Sequence, residues 1–103
     1  MANNVDTIER NYLISLYDIY SNLLTDKQRS YFEDYYFMDL SLSEIAENYL
    51  ISRNGVHDQI KRTVNALVDY ENKLKLYEKL SKINKLDIDS SIKEIISNIL
   101  MEE

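Results

Sequence analysis

The chain has no proline and a single glycine, Gly55, in 103 residues. Proline costs about 3 kcal/mol in a helix interior and glycine about 1 kcal/mol relative to alanine. With no proline and one glycine, a helix that starts here is stopped almost only by capping side chains or by contacts from elsewhere in the fold. Nothing alternates with the two-residue period of a strand. The expected fold class is all-α, and the 103 residues are enough for one helical domain with a modest core.

The punctuation comes from caps. Thr25-Asp26-Lys27-Gln28 and Ser41-Leu42-Ser43-Glu44 each have the spacing of a capping box. Ser52 is a natural N-cap for a third start. Before these, the segment from Thr7 to Leu24 carries two apolar stripes at helical spacing. Ile8, Tyr12, Leu16, Ile19 and Leu23 form one; Leu13, Tyr17, Tyr20 and Leu24 form the other. An arc that wide needs either two layers of its own domain or a second subunit. The helix from Thr25 to about Phe37 is aromatic at Tyr31, Phe32, Tyr35, Tyr36 and Phe37. These rings read as core, because Glu33, Asp34 and Asp39 surround them where a base-stacking platform would carry basic residues.

After Ser52 nothing halts the helix until about Asn84. Val56, Ile60, Thr63, Leu67, Tyr70, Leu74 and Tyr77 follow the four-three alternation of a coiled-coil-like seam. The part from Tyr70 to Leu80 outruns the two preceding helices and needs another partner: the first helix, the C-terminal helix or a second copy. A last helix opens near Asp89 or Ser90, with Ile92, Ile95, Ile96, Ile99 and Leu100 as its expected buried stripe.

A short helix and a long one, joined by a tight turn at Leu50 and Ile51, form a helix-turn-helix pattern. "LTDKQR", "LSLSEIAE", "SRNGVHDQIKR" and "YENKLKLYEKL" carry a further likeness. The stretch from about Asn11 to Leu80 resembles sigma-70 region 4 and, more closely, the YlxM family of small bacterial helix-turn-helix proteins. The resemblance implies an all-helical fold of the sigma-70 region 4 or winged-helix-like DNA-binding type. To this are added an N-terminal helix, a long recognition helix and a C-terminal helix. It places the helix-turn-helix core at 25–68 and a helical extension, serving dimerisation, at 69–103. It also implies a regulator, often dimeric, linked to the protein-targeting pathway of the signal recognition particle, whose RNA or protein would be a partner. Sigma-type turns favour glycine or a small polar residue where Leu50 stands. Leucine dislikes the positive φ common there, so a longer or altered turn is expected.

Charge sets the terms of any contact with nucleic acid. The net charge of −6 opposes loose attraction to polyanions. Residues 52–62 and 63–85 each carry +2, however, while 1–51 and 86–103 carry −6 and −4. With Val56 and Ile60 inward, the candidate nucleic-acid residues are Ser52, Arg53, Asn54, His57, Lys61 and Arg62. Asn54 is suited to adenine, and Arg53, Lys61 and Arg62 to phosphates. Ser52 and the first backbone N–H groups add a phosphate site. Asp58, central on the outward face, would repel phosphate unless it accepts from a cytosine amino group. Three cations per copy predict weak, salt-sensitive binding that a dimer would strengthen. Tyr12, Leu16, Ile19, Tyr70, Leu74 and Tyr77 are the candidate dimerisation residues of a homodimer.

Other functions find little support. The chain has no cysteine, one histidine, no phosphate-cradling glycine loop and no framed carboxylate pair. Neither catalytic residues, nor a metal site, nor a cofactor, nor a small-molecule substrate is expected. No apolar run reaches the roughly 20 residues of a membrane span, and the acidic N-terminus is unlike a signal peptide. Membrane insertion is not expected and a cytoplasmic location is. The competing expectation is a protein–protein adaptor that keeps the helix-turn-helix only as packing.

Overall fold

A computed structural model describes residues 8–86 and 88–101. Six α-helices follow in order: α1 (Arg10–Tyr20), α2 (Asp26–Tyr36), α3 (Leu42–Tyr49), α4 (Arg53–Leu74), α5 (Leu76–Asn84) and α6 (Ser90–Met101). A 3-10 turn, Ser21–Leu23, closes α1. No strand, and therefore no wing, is present among the described residues. The fold is all-α with a helix-turn-helix.

Local side chains set most helix starts. Both capping boxes form with reciprocal bonds: Thr25 with Gln28, and Ser41 with Glu44. The Ser52 hydroxyl accepts the Gly55 N–H at 3.0 Å. The Glu9 carboxylate caps α1 by accepting from Asn11 and Tyr12. Thr7, where the sequence suggested a start, lies outside the described residues. At the far end of α1, the Arg29 guanidinium donates to the carbonyls of Ser21 (3.0 Å) and Leu24 (2.7 Å). It thereby binds acceptors that a helix end leaves without partners.

The core lies where α1, α2 and α3 pack on the first half of α4. Leu13, Leu16, Tyr17 and Tyr20 meet Tyr31, Phe32, Tyr36, Ile45 and Ala46 over Val56, Ile60, Val64 and Leu67. The Tyr17 and Phe32 rings stack at 4.4 Å. Tyr31, Phe32 and Tyr36 are core residues, while Phe37 is exposed. The neighbouring acids serve the rings: Tyr17 donates to Glu33, and Tyr49 to Asp34. Thr63, buried on the seam, donates to the Gln59 carbonyl at 2.9 Å.

The exposure of Phe37 departs from the core reading of that ring, and three further expectations fail. First, the long helix does not run to Asn84; it ends at Leu74, and Lys75 turns the chain in the left-handed region (φ 61°, ψ 26°). The cause is tertiary. Buried Glu71 accepts the N–H groups of Tyr77 (3.0 Å) and Glu78 (3.2 Å) and the hydroxyl of Tyr20 (2.7 Å). The Tyr20 oxygen in turn accepts the Leu76 N–H at 3.1 Å. A carboxylate from one helix thus caps the next, with favourable charge at its N-terminus. Second, α6 buries nothing fully; Ile92, Ile95, Ile99 and Leu100 are exposed, because α6 packs mainly along α5. Third, the helix-turn-helix turn is not lengthened to spare Leu50, which adopts φ 56° and ψ 43° itself. Its side chain is 91% exposed, so nothing crowds it.

Candidate nucleic-acid interface

The turn geometry aims α4. The Ile51 N–H returns to the Ala46 carbonyl at 3.1 Å, which closes α3 and starts α4 across it. Val56 and Ile60, both fully buried, fix the rotation of α4 about its axis. Its other side follows by about 100° per residue. Arg53, Asn54, Asp58 and Arg62 are exposed, while His57 and Lys61 are half-buried on the flanks. Asn54, Asp58 and Arg62 therefore share the side of α4 turned from the core, His57 and Lys61 flank it, and Ser52 and Arg53 stand at its N-terminal end.

Arg53 and Arg62 are nine residues apart, about 13 Å along the axis. The major groove of B-DNA is about 12 Å wide. Nine residues also turn the helix by half a revolution, so the two guanidiniums stand on opposite sides of α4, with Asn54 and Asp58 on the arc between them. The Ser52 hydroxyl is engaged as a cap acceptor and keeps its proton for a further acceptor. Gly55 has a packing reason. A Cβ there would lie 3.1 Å from the Ser52 hydroxyl and 3.5 Å from the Ile51 side chain. Leu50 and Ile51 form an exposed apolar tip beside Ser52 that sequence reasoning missed. The available signal was the lack of glycine at the turn. Among the described residues, no three His, Asp or Glu side chains converge as a metal site would need.

A family model described as "Putative helix-turn-helix protein, YlxM / p13 like" matches residues 7–102. The chain belongs to this family. A UPF0122 protein of Fusobacterium nucleatum is 44% identical, over 85% of this chain and 92% of its own length. One from Staphylococcus epidermidis is 46% identical, covering 80% and 72% respectively. One from Limosilactobacillus reuteri is 58% identical, covering 68% and 63%. Each of these relatives is matched over two thirds of this chain or more.

The six residues proposed for dimerisation are not alike in the structure. Leu16 is fully buried in the core of its own chain and has no surface to offer a second copy. Tyr12 and Tyr77 pack edge to face at 5.1 Å within one chain. Tyr70 lies against Tyr20 and donates to the Leu23 carbonyl at 3.2 Å. Thus α1 and α5 satisfy most of the stripe that extends beyond the helix-turn-helix. Ile19 and Leu74, the latter 45% exposed, border a cleft of about 200 Å³ closed by Leu100 and Met101. Among the described residues, α6 carries a further row of exposed apolar side chains, Ile92, Ile95 and Ile99.

Proposed function

We propose that this chain is a non-enzymatic helix-turn-helix regulator that binds nucleic acid through the start of α4. The observation that carries the proposal is the exposed side of α4, with Arg53, Asn54 and Arg62 held by buried Val56 and Ile60. Arg53, Lys61 and Arg62 hold phosphates, Asn54 and Asp58 face bases, and Ser52 and His57 line the edges. Three phosphate contacts per copy give a salt slope of about −2.7, doubled in a dimer. Fluorescence anisotropy against duplex DNA and structured RNA over a salt series tests this. Flat titrations at low salt for both would end it.

The resemblance to YlxM proteins suggests the signal recognition particle pathway, with its RNA or protein as the target and the cytoplasm as the location. Co-purification of the tagged chain with that particle's RNA or protein tests the link; their absence from the purified complex would remove it. No helix among the described residues is long and apolar enough to cross a membrane. A homodimer joined along α6 completes the proposal.

A protein–protein adaptor is the second reading, favoured by the exposed apolar tip at Leu50 and by acidic Asp58. Reversing the charges of Lys61 and Arg62 would then leave function intact, whereas a nucleic-acid reader would lose it.

A further inference from the structure

The elbow at Lys75 does more than end a helix. Were α4 and α5 one straight rod, the lysines from Lys75 to Lys85 would stand on a convex, solvated flank. Folding α5 back against α1 instead encloses a groove of about 590 Å³ between the end of α4, α5 and Tyr12. Lys75, Lys82 and Lys85 line it, and Asn72 and Ser81 add neutral polar groups. The Tyr12–Tyr77 pair forms an aromatic wall.

Two carboxylates also line the groove, and both are accounted for. Glu71 is buried and already accepts two backbone N–H groups from the elbow and the Tyr20 hydroxyl from α1. Glu78 lies 3.7 Å from Lys82, an exposed pair of the kind that contributes little. Lys75 and Lys85 form no ion pair among the described residues, and Lys79 stands one turn before Lys82 on the same helix. The groove therefore has cations to offer in a chain whose ends are acidic.

We infer that this groove is a second phosphate-backbone site, which takes the phosphodiester chain of a nucleic acid alongside the contact made by α4. Lys75 and Lys85 are about 15 Å apart along the chain at helical rise. That span suits two or three successive phosphates and exceeds a single one. Lysines hold phosphates as point charges without demanding one orientation, as a sequence-independent contact requires. The polar groups at Asn72 and Ser81 suit sugar and phosphate oxygens, and the tyrosine wall gives a base a ring to lie against. The inference extends the nucleic-acid reading of α4, but its own test does not depend on that reading.

The test has two arms on the full chain. In the first, inorganic tripolyphosphate is titrated into labelled protein and amide resonances are followed. Shifts at Lys75, Ser81, Lys82 and Lys85 are expected; their absence, whatever happens at residues 52–62, overturns the site. In the second, the double variant Lys82→Gln with Lys85→Gln is compared with Lys61→Gln plus Arg62→Gln in salt-dependent duplex binding. Each pair should lower the salt slope by about 1.8, two phosphates' worth. An unchanged slope for the groove pair, with a reduced one for the α4 pair, rejects the groove as a nucleic-acid contact. If the wild type binds no duplex at all, the α4 reading fails, and the tripolyphosphate arm alone decides the groove. Both groove lysines are exposed, so matching thermal melts are expected for the variant.

Discussion

At the scale of single residues, the chain holds strain where no packing repays it. Leu50 occupies the left-handed region with a side chain that touches almost nothing. That conformation costs a leucine roughly 1–2 kcal/mol, and glycine occupies it freely. Part of the gain is lost again because glycine adds freedom to the unfolded chain. Leu50→Gly should therefore stabilise the fold by roughly 0.5–1 kcal/mol, read as a rise in the urea midpoint at constant slope. A fall in the midpoint would mean that the leucine makes a contact in solution. Tyr20 carries a second residue-level signature. Burial, and next its hydrogen bond to Glu71, push its hydroxyl from 10.0 up to about 12. The folded chain then holds this proton more tightly than the unfolded chain does. The associated stability is complete below pH 10 and is lost as pH rises toward 12. Urea midpoints from pH 9 to 12 should fall more steeply for wild type than for Tyr20→Phe; parallel curves would contradict this origin. Tyr17, buried and donating to Glu33, is raised in the same direction, which is why the comparison uses the difference between the two proteins.

At the scale of elements, the boundary between α4 and α5 rests on one carboxylate. Glu71→Ala removes the acceptor from two backbone N–H groups and the Tyr20 hydroxyl at once. Partly buried donors left without partners cost about 1–3 kcal/mol each, less where water reaches them. A loss of about 2–3 kcal/mol is expected, and Glu71→Gln, which keeps one acceptor oxygen, should recover about half. Hydrogen exchange would show Tyr77 and Glu78 amides losing protection ahead of the core. Unchanged exchange at both would show that the elbow is held by something else. This element also marks the limit of what the sequence makes legible. The starts of α2, α3 and α4 follow from Thr25, Ser41 and Ser52, because a cap is a contact within three residues. Outward Asn54 and Asp58 follow from the same local geometry once Val56 and Ile60 face in, whereas Lys61, expected outward, is half-buried and Arg62, expected on a flank, is exposed. The elbow does not, because Glu71 and Tyr20 are 51 residues apart. One signal was present: Glu71 continues the buried register of Ile60, Val64 and Leu67. A carboxylate on an apolar line needs donors from elsewhere, and here they are the first amides of the next helix.

At the scale of the whole molecule, an elongated body of 49 × 28 × 21 Å is packed unevenly. Every fully buried side chain belongs to α1 through α4, and neither α5 nor α6 has a buried residue. Ile92, Ile95 and Ile99 succeed one another at three- and four-residue steps along α6, with exposed Leu86 and Ile88 in the segment before it. Together they leave on the order of 500 Å² of apolar surface open, the upper range for a monomer. Two copies paired stripe on stripe would bury about 1,000 Å² in total, enough for a modest specific interface. The same pairing would double the basic sites available to one nucleic acid and steepen its salt dependence. Because Ile95 and Ile99 are 58% and 62% exposed, changing them removes little from a single copy's own core. Ile95→Asp with Ile99→Asp should therefore keep the thermal melt of the helix-turn-helix head within a few degrees. The mass by light scattering should fall from twice 12.2 kDa to the single-chain value. A wild type that stays at the single-chain mass through high micromolar concentration would refute the α6 pairing. So would a double variant that still has the doubled mass, since the pairing surface would then lie elsewhere, with Ile19 and Leu74 the next to change.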